Sequence, residues 1–166
     1  DHGFTLYEEL VHVPLIIQVP GQVGGYAIDD RVSSIDVMPT LLELLDVKLS
    51  EKVAKQLRGK SLVPAMRGSP VKRPVFCETN YRDYTFKRSM TTPDGWKLIY
   101  TLEDGTCELY DLSNDPGEKS KLAIEASDRA NRLQAQLFGH FESIGHDLNG
   151  RDWDTGLNPV SPPQSS

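Results

Sequence analysis

The 166-residue sequence lacks several features that mark common classes of protein. It contains only two cysteines, Cys77 and Cys107, which form no CxxC pair and no zinc-ligand spacing. Its net charge of −6 offers no basic surface for nucleic acid, and no apolar run approaches the ~20 residues of a membrane span. We therefore expect neither a nucleic-acid partner nor a membrane span. The two cysteines are expected to be buried thiols, with a bridged pair as the alternative.

The sequence also begins without a methionine or a secretory leader, and its first residues are Asp1-His2-Gly3. These features predict a piece of a longer protein. The length nevertheless suits about one domain, and a hydrophobic fraction of 38% suits a globular core.

The first half of the chain predicts the edge of an α/β domain over residues 1–73. A short helix is expected first, and then Leu15–Val19 forms a nearly continuous apolar run, which is typical of a strand covered on both faces. A second helix is predicted over residues 34–47, with Pro39 tolerated in its first turn. The side chains expected on its buried face are Met38, Leu41, Leu42 and Leu45.

The second half predicts a small α+β subdomain over residues 74–149. Its strand candidates are Val75–Thr79, Arg88–Thr92, Trp96–Tyr100 and Cys107–Leu112. The short turns Pro93-Asp94-Gly95 and Asp104-Gly105 indicate an antiparallel meander. Residues 125–144 repeat apolar side chains at helical spacing, which predicts a helix packed on the sheet. Residues 150–166 predict a disordered tail, and Lys97 is expected to point to solvent.

Three stretches between about residues 2 and 123 occur in a distinctive order and spacing. They are His2–Glu9 running into Val13–Ile17, then Arg31–Leu45, and then the segments WKLIY (96–100), ELYDL (108–112) and DPGE (115–118). Together they resemble the C-terminal part of sulfatases of the alkaline-phosphatase superfamily. The resemblance implies an α/β fold, in which the edge of a sulfatase-like mixed sheet is followed by a small α+β subdomain. That subdomain consists of an antiparallel four-stranded sheet with a C-terminal helix.

The resemblance implies hydrolysis of sulfate esters, on a sulfated carbohydrate or an aryl sulfate, in a periplasmic or secreted enzyme. The family's nucleophile is a formylglycine made from the first residue of a Cys/Ser-x-Pro/Ala-x-Arg motif, and calcium polarises the sulfate. Neither Cys77 nor Cys107 begins such a motif. We therefore expect the nucleophile and most calcium ligands to lie outside this chain, which should be inactive alone.

His2 is the candidate catalytic residue, because the family places a His or Lys before the helix that resembles LYEE. Such a group holds a sulfate oxygen or protonates the leaving alcohol. In an alternative reading, Asp1 and His2 are calcium ligands. The direct run of Gly3 into Phe4 ranks the leaving-group role above the metal role. A solvated histidine is the remaining interpretation.

The loop and strand after Thr79 provide the candidate substrate-binding residues. Arg82, Lys87 and Arg88 are suited to anionic groups of a sulfated sugar, and Tyr81 is suited to stacking on a pyranose ring. The alternative is a solvated loop anchored by Phe86.

Two other functions remain open at this stage. One is a phosphodiesterase or phosphonate hydrolase of the same superfamily, which the upstream nucleophile would distinguish. The other is a non-catalytic module that binds a glycan or a protein, which binding of a sulfated sugar by this chain alone would favour. Glu8 and Glu9 are adjacent, so they point in different directions on a helix. They are expected to be one capping or ion-pairing group and one solvated group.

Overall fold

The computed structural model describes residues 3–81, 85–146 and 148. The described residues form two compact units. One is Leu15–Val75, and the other contains residues 3–14 together with those from Phe76 onward. The division after Val75 lies next to the predicted subdomain start at residue 74. Residues 3–14, however, group with the later part of the chain instead of with residues 15–73.

The helices and strands are short except for the last helix. The helices are α1 (Glu8–Val11), α2 (Val37–Leu44), α3 (Glu51–Ala54), α4 (Val63–Met66) and α5 (Ser127–Ser143), with a 3₁₀ turn at Ser34–Asp36 before α2. The strands are β1 (Val75–Tyr81), β2 (Thr85–Thr91), β3 (Trp96–Thr101) and β4 (Cys107–Asp111). No helix in the described ranges has the length and apolar character to cross a membrane.

The four strands form one sheet in the order β1-β2-β3-β4. β3 pairs antiparallel with β2 and with β4, so that Leu98 lies opposite both Met90 and Leu109. In the turn between β2 and β3, the Trp96 N–H donates to Thr92 Oγ1 and the Gly95 N–H donates to the Thr92 carbonyl. The predicted meander of four antiparallel strands with a C-terminal helix is confirmed.

The main hydrophobic core lies between one face of this sheet and α5. Its buried members are Met90, Leu98, Leu109, Ala130, Leu133, Leu137, Phe141 and Leu148. The helical residues recur every three or four positions, which places them on one side of α5. The opposite face of the sheet carries a second, smaller cluster of Leu6, Ile99, Tyr110 and Leu112. Because β3 is a central strand, its alternate residues are covered on both faces.

The strand predicted over Leu15–Val19 is not formed, and this segment has no regular secondary structure. Ile16 is 90% exposed. A strand is stable when a neighbouring strand satisfies its backbone and other layers cover its faces. The four described strands pair with one another, so the apolar run at residues 15–19 has no partner strand in the described part of the chain.

The helix predicted over residues 34–47 is present as the 3₁₀ turn and α2, but its expected apolar face is open. Met38 is 56% exposed and Leu45 is 72% exposed, while Leu41 is also exposed. The fully buried side chains of this region are instead Asp36 and Thr40. The apolar spacing therefore predicted the helix correctly and the covered face wrongly.

Asp36 is the polar centre of the Leu15–Val75 unit. Its carboxylate accepts the backbone N–H groups of Ser33 and Lys60, each at 2.8 Å, and pairs with Arg73. The close approach of the chain around residue 59 to the 3₁₀ turn requires a glycine. A Cβ built on Gly59 would lie 1.9 Å from the carbonyl oxygen of Ile35.

Replacing Gly59 with alanine is expected to lower the free energy of unfolding by about 1–3 kcal/mol, because overpacking here displaces backbone atoms. Urea unfolding followed by circular dichroism measures this loss. Gly25→Ala is the matched control in the same unit, since a Cβ there meets nothing within 4 Å, and a change below about 0.5 kcal/mol is expected for it. Equal stabilities of the two variants would contradict the close approach at Gly59.

Candidate functional site

Residues 3–11 lie on the face of the sheet opposite α5. Leu6 is buried against Ile99, Tyr110 and Leu112. The register pairs Lys97 with Tyr110 and Ile99 with Glu108. Because side chains alternate along a strand, these four residues of β3 and β4 share one face. That face therefore presents polar and charged groups to the N-terminal segment.

A buried ion triad joins α1 to this face. Lys97 is fully buried, and its Nζ lies 2.8 Å from Glu8 Oε1 and 2.9 Å from Glu118 Oε1. The backbone N–H of Glu8, at the N-terminus of α1, donates to Glu118 Oε2. The expectation that Lys97 points to solvent is wrong, because residues 3–11 cover this face of the sheet. Glu8 forms the expected ion pair, and Glu9 is exposed.

A second polar cluster surrounds Glu108. Its Oε2 accepts hydrogen bonds from Tyr7 at 2.9 Å and Tyr110 at 2.6 Å, and lies 2.9 Å from Lys121 Nζ. Burial by itself would raise the pKa of Glu108, but the donors Tyr110, Lys121 and Tyr7 stabilise the carboxylate and bring its pKa below the ordinary value of 4.5. Burial and the Glu108 carboxylate raise the pKa of Tyr110. Glu108 is therefore ionised and both tyrosines are protonated at neutral pH.

This cluster predicts an acid-dependent loss of stability. A carboxyl whose pKa falls on folding stabilises the protein above its unfolded-state pKa, and this contribution is lost as pH falls through the folded-state value. We expect Glu108→Gln to lower the free energy of unfolding by about 1–3 kcal/mol at pH 7. The difference should shrink well below pH 4.5, where Glu108 itself is protonated.

Urea unfolding of both proteins at pH 7 and at about pH 3 measures this dependence. Glu9→Gln is the matched control, because Glu9 is an exposed glutamate on α1. A Glu108→Gln deficit that stays constant across the two pH values would contradict the charged state of Glu108.

The N-terminal segment reaches the end of β1 at Gly3. The hydroxyl of Thr79 donates to the carbonyl of Gly3. Gly3 has φ +110°, and a Cβ on it would lie 2.9 Å from Tyr81 Cδ2. A side chain at this position would be strained and would displace the tyrosine ring. Gly3 thus holds the chain against Tyr81, one residue after the candidate His2.

The predicted site residues that the structure describes lie in different parts of the sheet. Tyr81 lies against Gly3, and Lys87 Nζ donates to Thr101 Oγ1 at 2.8 Å. Arg88 is fully buried on the α5 side of the sheet, with its guanidinium 5.3 Å from the Phe141 ring centroid. Asp1, His2 and Arg82 lie outside the described residues.

Arg88, on β2, forms polar contacts with residues of the neighbouring strand β1. Its Nη1 donates to Asn80 Oδ1 at 2.8 Å and to the Thr79 carbonyl at 3.2 Å, and its Nε lies 3.4 Å from Glu78 Oε2. Burial lowers the pKa of Arg88, and the charge of Glu78 opposes that shift. These contacts make Arg88 a link between β1, β2 and α5 instead of a residue of an open loop.

Sequence reasoning missed Lys97, Glu108 and Glu118, which fix the N-terminal segment. The position of Lys97 between Trp96 and Leu98 in a predicted strand places it on the face opposite to theirs, but does not show whether that face is covered. The partners were not predictable, because Glu8 is 89 residues away in sequence.

The residues described do not fit a calcium site. No group of three or more His, Cys, Asp or Glu side chains within residues 3–81, 85–146 and 148 could hold a metal ion. The acidic side chains at the site are instead neutralised by Lys97 and Lys121.

Comparison with known proteins finds relatives that are sulfatases. The family model described as N-sulphoglucosamine sulphohydrolase, C-terminal, matches residues 1–146. A sulfatase of Formosa agariphila is 33% identical over 134 residues, which are 73% of this chain and 24% of that protein. A delta 4,5-hexuronate-2-O-sulfatase of Bacteroides thetaiotaomicron is 30% identical over 130 residues, which are 72% of this chain and 26% of that protein.

A solved structure shares the fold. A 2-O GAG (glycosaminoglycan) sulfatase superposes with a TM-score of 0.53 and 28% sequence identity, over 65% of this chain and 24% of that chain. The chain therefore spans about a quarter of the length of the curated relatives and the solved structure that it matches.

Proposed function

Because this chain belongs to the sulfatase family, as the C-terminal region that the family model describes, we propose that it forms the substrate-facing end of an enzyme that hydrolyses sulfate esters. The nucleophile, a formylglycine, is supplied by the upstream region that the relatives carry and this chain does not. The proposed substrates are sulfated carbohydrates, and among them 2-O-sulfated uronates of glycosaminoglycans, because two relatives are named for 2-O-sulfated substrates of this class.

The observation that carries this proposal is the contact of Gly3 with the end of β1. The Thr79 hydroxyl bonds the Gly3 carbonyl, and the Tyr81 ring packs against the Gly3 backbone. His2 is covalently joined to Gly3, and Arg82 to Tyr81. The contact of Gly3 with Thr79 and Tyr81 supports a common site for candidate residues that are about 80 positions apart in sequence.

In the proposed site each residue has a separate task. His2 holds a sulfate oxygen or gives a proton to the leaving alcohol oxygen. Tyr81 supplies an apolar ring face for a sugar, and Arg82 and Lys87 pair with its carboxylate or sulfate groups. Arg88 has no part in substrate binding, because it is buried with its partners on the other side of the sheet. No step is assigned to calcium.

The test uses the protein that carries this chain together with the upstream sulfatase region. We expect release of inorganic sulfate from 2-O-sulfated uronate disaccharides, and mass spectrometry should find formylglycine in the upstream motif. This chain by itself is the control and should release none. Hydrolysis of phosphate diesters without sulfate release would instead assign the protein to the sister hydrolases. Tight binding of the disaccharide by the chain alone, without turnover in the longer protein, would assign a binding module.

A further inference from the structure

We propose that Lys97 is a positioning residue that sets the placement of residues 3–11 on the sheet, and through them the placement of His2. The inference rests on the proposed function for the role of His2. The effect of Lys97 on residues 3–11 is independent of any activity. The contacts that support it belong to three segments far apart in the sequence: α1, β3 and the turn after β4.

The triad unites residues from the first and the third of the sequence stretches that resemble sulfatases. Glu8 belongs to LYEE, Lys97 to WKLIY and Glu118 to DPGE. Their charged atoms meet within 2.9 Å of one Nζ atom. A single buried cation is therefore shared by two carboxylates, and the triad carries a formal charge of −1. Lys97 is the cation that both carboxylates share, and Glu8 Oε2 also lies 3.8 Å from His12 Nδ1. Loss of the shared cation is unfavourable, since a poorly compensated charge in a buried site is costly.

Glu118 adopts a backbone conformation that ordinary residues avoid. Its φ is +51°, in the left-handed region, and such a conformation persists only where the surroundings hold it. Here one carboxylate oxygen meets Lys97 and the other accepts the Glu8 N–H. The turn after β4 is therefore shaped to offer both oxygens to α1 and β3.

The position of α1 determines the path of the chain back to Gly3. Leu6 is buried next to the triad, and Tyr7 bonds Glu108 in the adjoining cluster. With these residues fixed, the chain can extend only along the sheet toward β1, where Thr79 and Tyr81 receive Gly3. A shift of α1 would thus move the residue that follows His2. A misplacement of about 1 Å in a catalytic group can lower a rate by about 10²-fold.

The hydrophobic core on the α5 face of the sheet makes it possible to distinguish a positioning role of Lys97 from a general effect on the stability of the fold. The hydrophobic cluster packed against α5 includes none of the triad. Neutralising the triad should therefore loosen residues 3–14 and leave α5 unchanged. A residue that merely stabilises the fold would affect both regions.

The test compares the wild-type full-length protein with the neutral variant Glu8→Gln/Lys97→Met/Glu118→Gln. The matched control is Lys119→Met, an exposed lysine one residue after Glu118. Amide hydrogen exchange should become at least about tenfold faster in residues 3–14 of the neutral variant, with α5 unchanged. The kcat for sulfate release should fall about 10²-fold, with KM changed much less, since binding by Tyr81, Arg82 and Lys87 remains. Lys97→Arg, which keeps the cation, should retain more activity than the neutral variant.

Unchanged exchange in residues 3–14 would overturn the inference, as would equal acceleration in residues 3–14 and in α5. Faster exchange in residues 3–14 with an unchanged kcat would also overturn it, because the segment would then not position a catalytic group. A wild-type protein that releases no sulfate overturns the proposed function and removes the kinetic arm. The exchange result then still decides whether Lys97 fixes the segment.

Discussion

In the protein that combines this chain with the upstream sulfatase region, His2→Ala is expected to lower kcat for alkyl sulfate esters by about 10²–10⁴-fold. An alkoxide is a poor leaving group, so its departure requires a proton in the transition state. A nitrophenolate leaves without one, and kcat for nitrophenyl sulfate should therefore fall much less. Because a proton donor acts in the transition state, kcat and kcat/KM should fall together.

The control for this substitution is Lys119→Met. Lys119 is exposed, and its replacement should leave both rates unchanged. The comparison of His2→Ala with Asp1→Ala separates the two roles considered for this pair. A loss of bound calcium and equal losses with both substrates would identify Asp1 and His2 as metal ligands. Unchanged rates with both substrates would remove His2 from the mechanism altogether.

The elements of the small subdomain were predictable because each is determined locally. Asp-Gly turns precede β3 and β4, and the spacing of apolar residues along α5 places them on one face. Side-chain alternation also indicates which residues share a face of the sheet. Nothing in that pattern identifies what covers each face, and for this reason Lys97 was assigned to solvent.

The errors in the first half of the chain have a related cause. The run at Leu15–Val19 and the apolar face of α2 are patterns that require further layers. The described part of the chain does not supply these layers, so Ile16 and Leu45 remain exposed. Hydrophobic periodicity thus predicted that a helix lies within residues 34–47 but not whether its apolar face is buried.

The candidate site shows the same division between local and long-range information. The motif His2-Gly3-Phe4 and the segment Asn80–Arg88 were identified from sequence, but the contacts of Gly3 with Thr79 and Tyr81 were not. Gly3 and Thr79 are 76 residues apart, and the pattern of a single sequence does not indicate which distant residues are in contact. Arg88 illustrates the converse, since a cation next to a polar loop was assigned to substrate and instead pairs with Glu78.

The triad permits one further prediction with a large effect, on stability. Lys97→Met removes the cation and leaves two carboxylates, Glu8 and Glu118, facing each other in a poorly solvated site. Removing one partner of a buried ion pair costs about 3–5 kcal/mol, which is a large share of the ~5–15 kcal/mol that stabilises a typical domain. We expect a loss of that size in the free energy of unfolding, measured by urea titration at pH 7.

The neutral variant Glu8→Gln/Lys97→Met/Glu118→Gln should recover at least half of this loss, although it differs from wild type at three buried positions and Lys97→Met at only one. Replacing a whole buried ion group removes the desolvation penalty together with the attraction, and the net change is often small. Lys119→Met should remain within about 0.5 kcal/mol of wild type. If Lys97→Met is no less stable than Lys119→Met, the triad does not bind α1 to the sheet. If the neutral variant is less stable than Lys97→Met, the loss arises from packing and not from uncompensated charge.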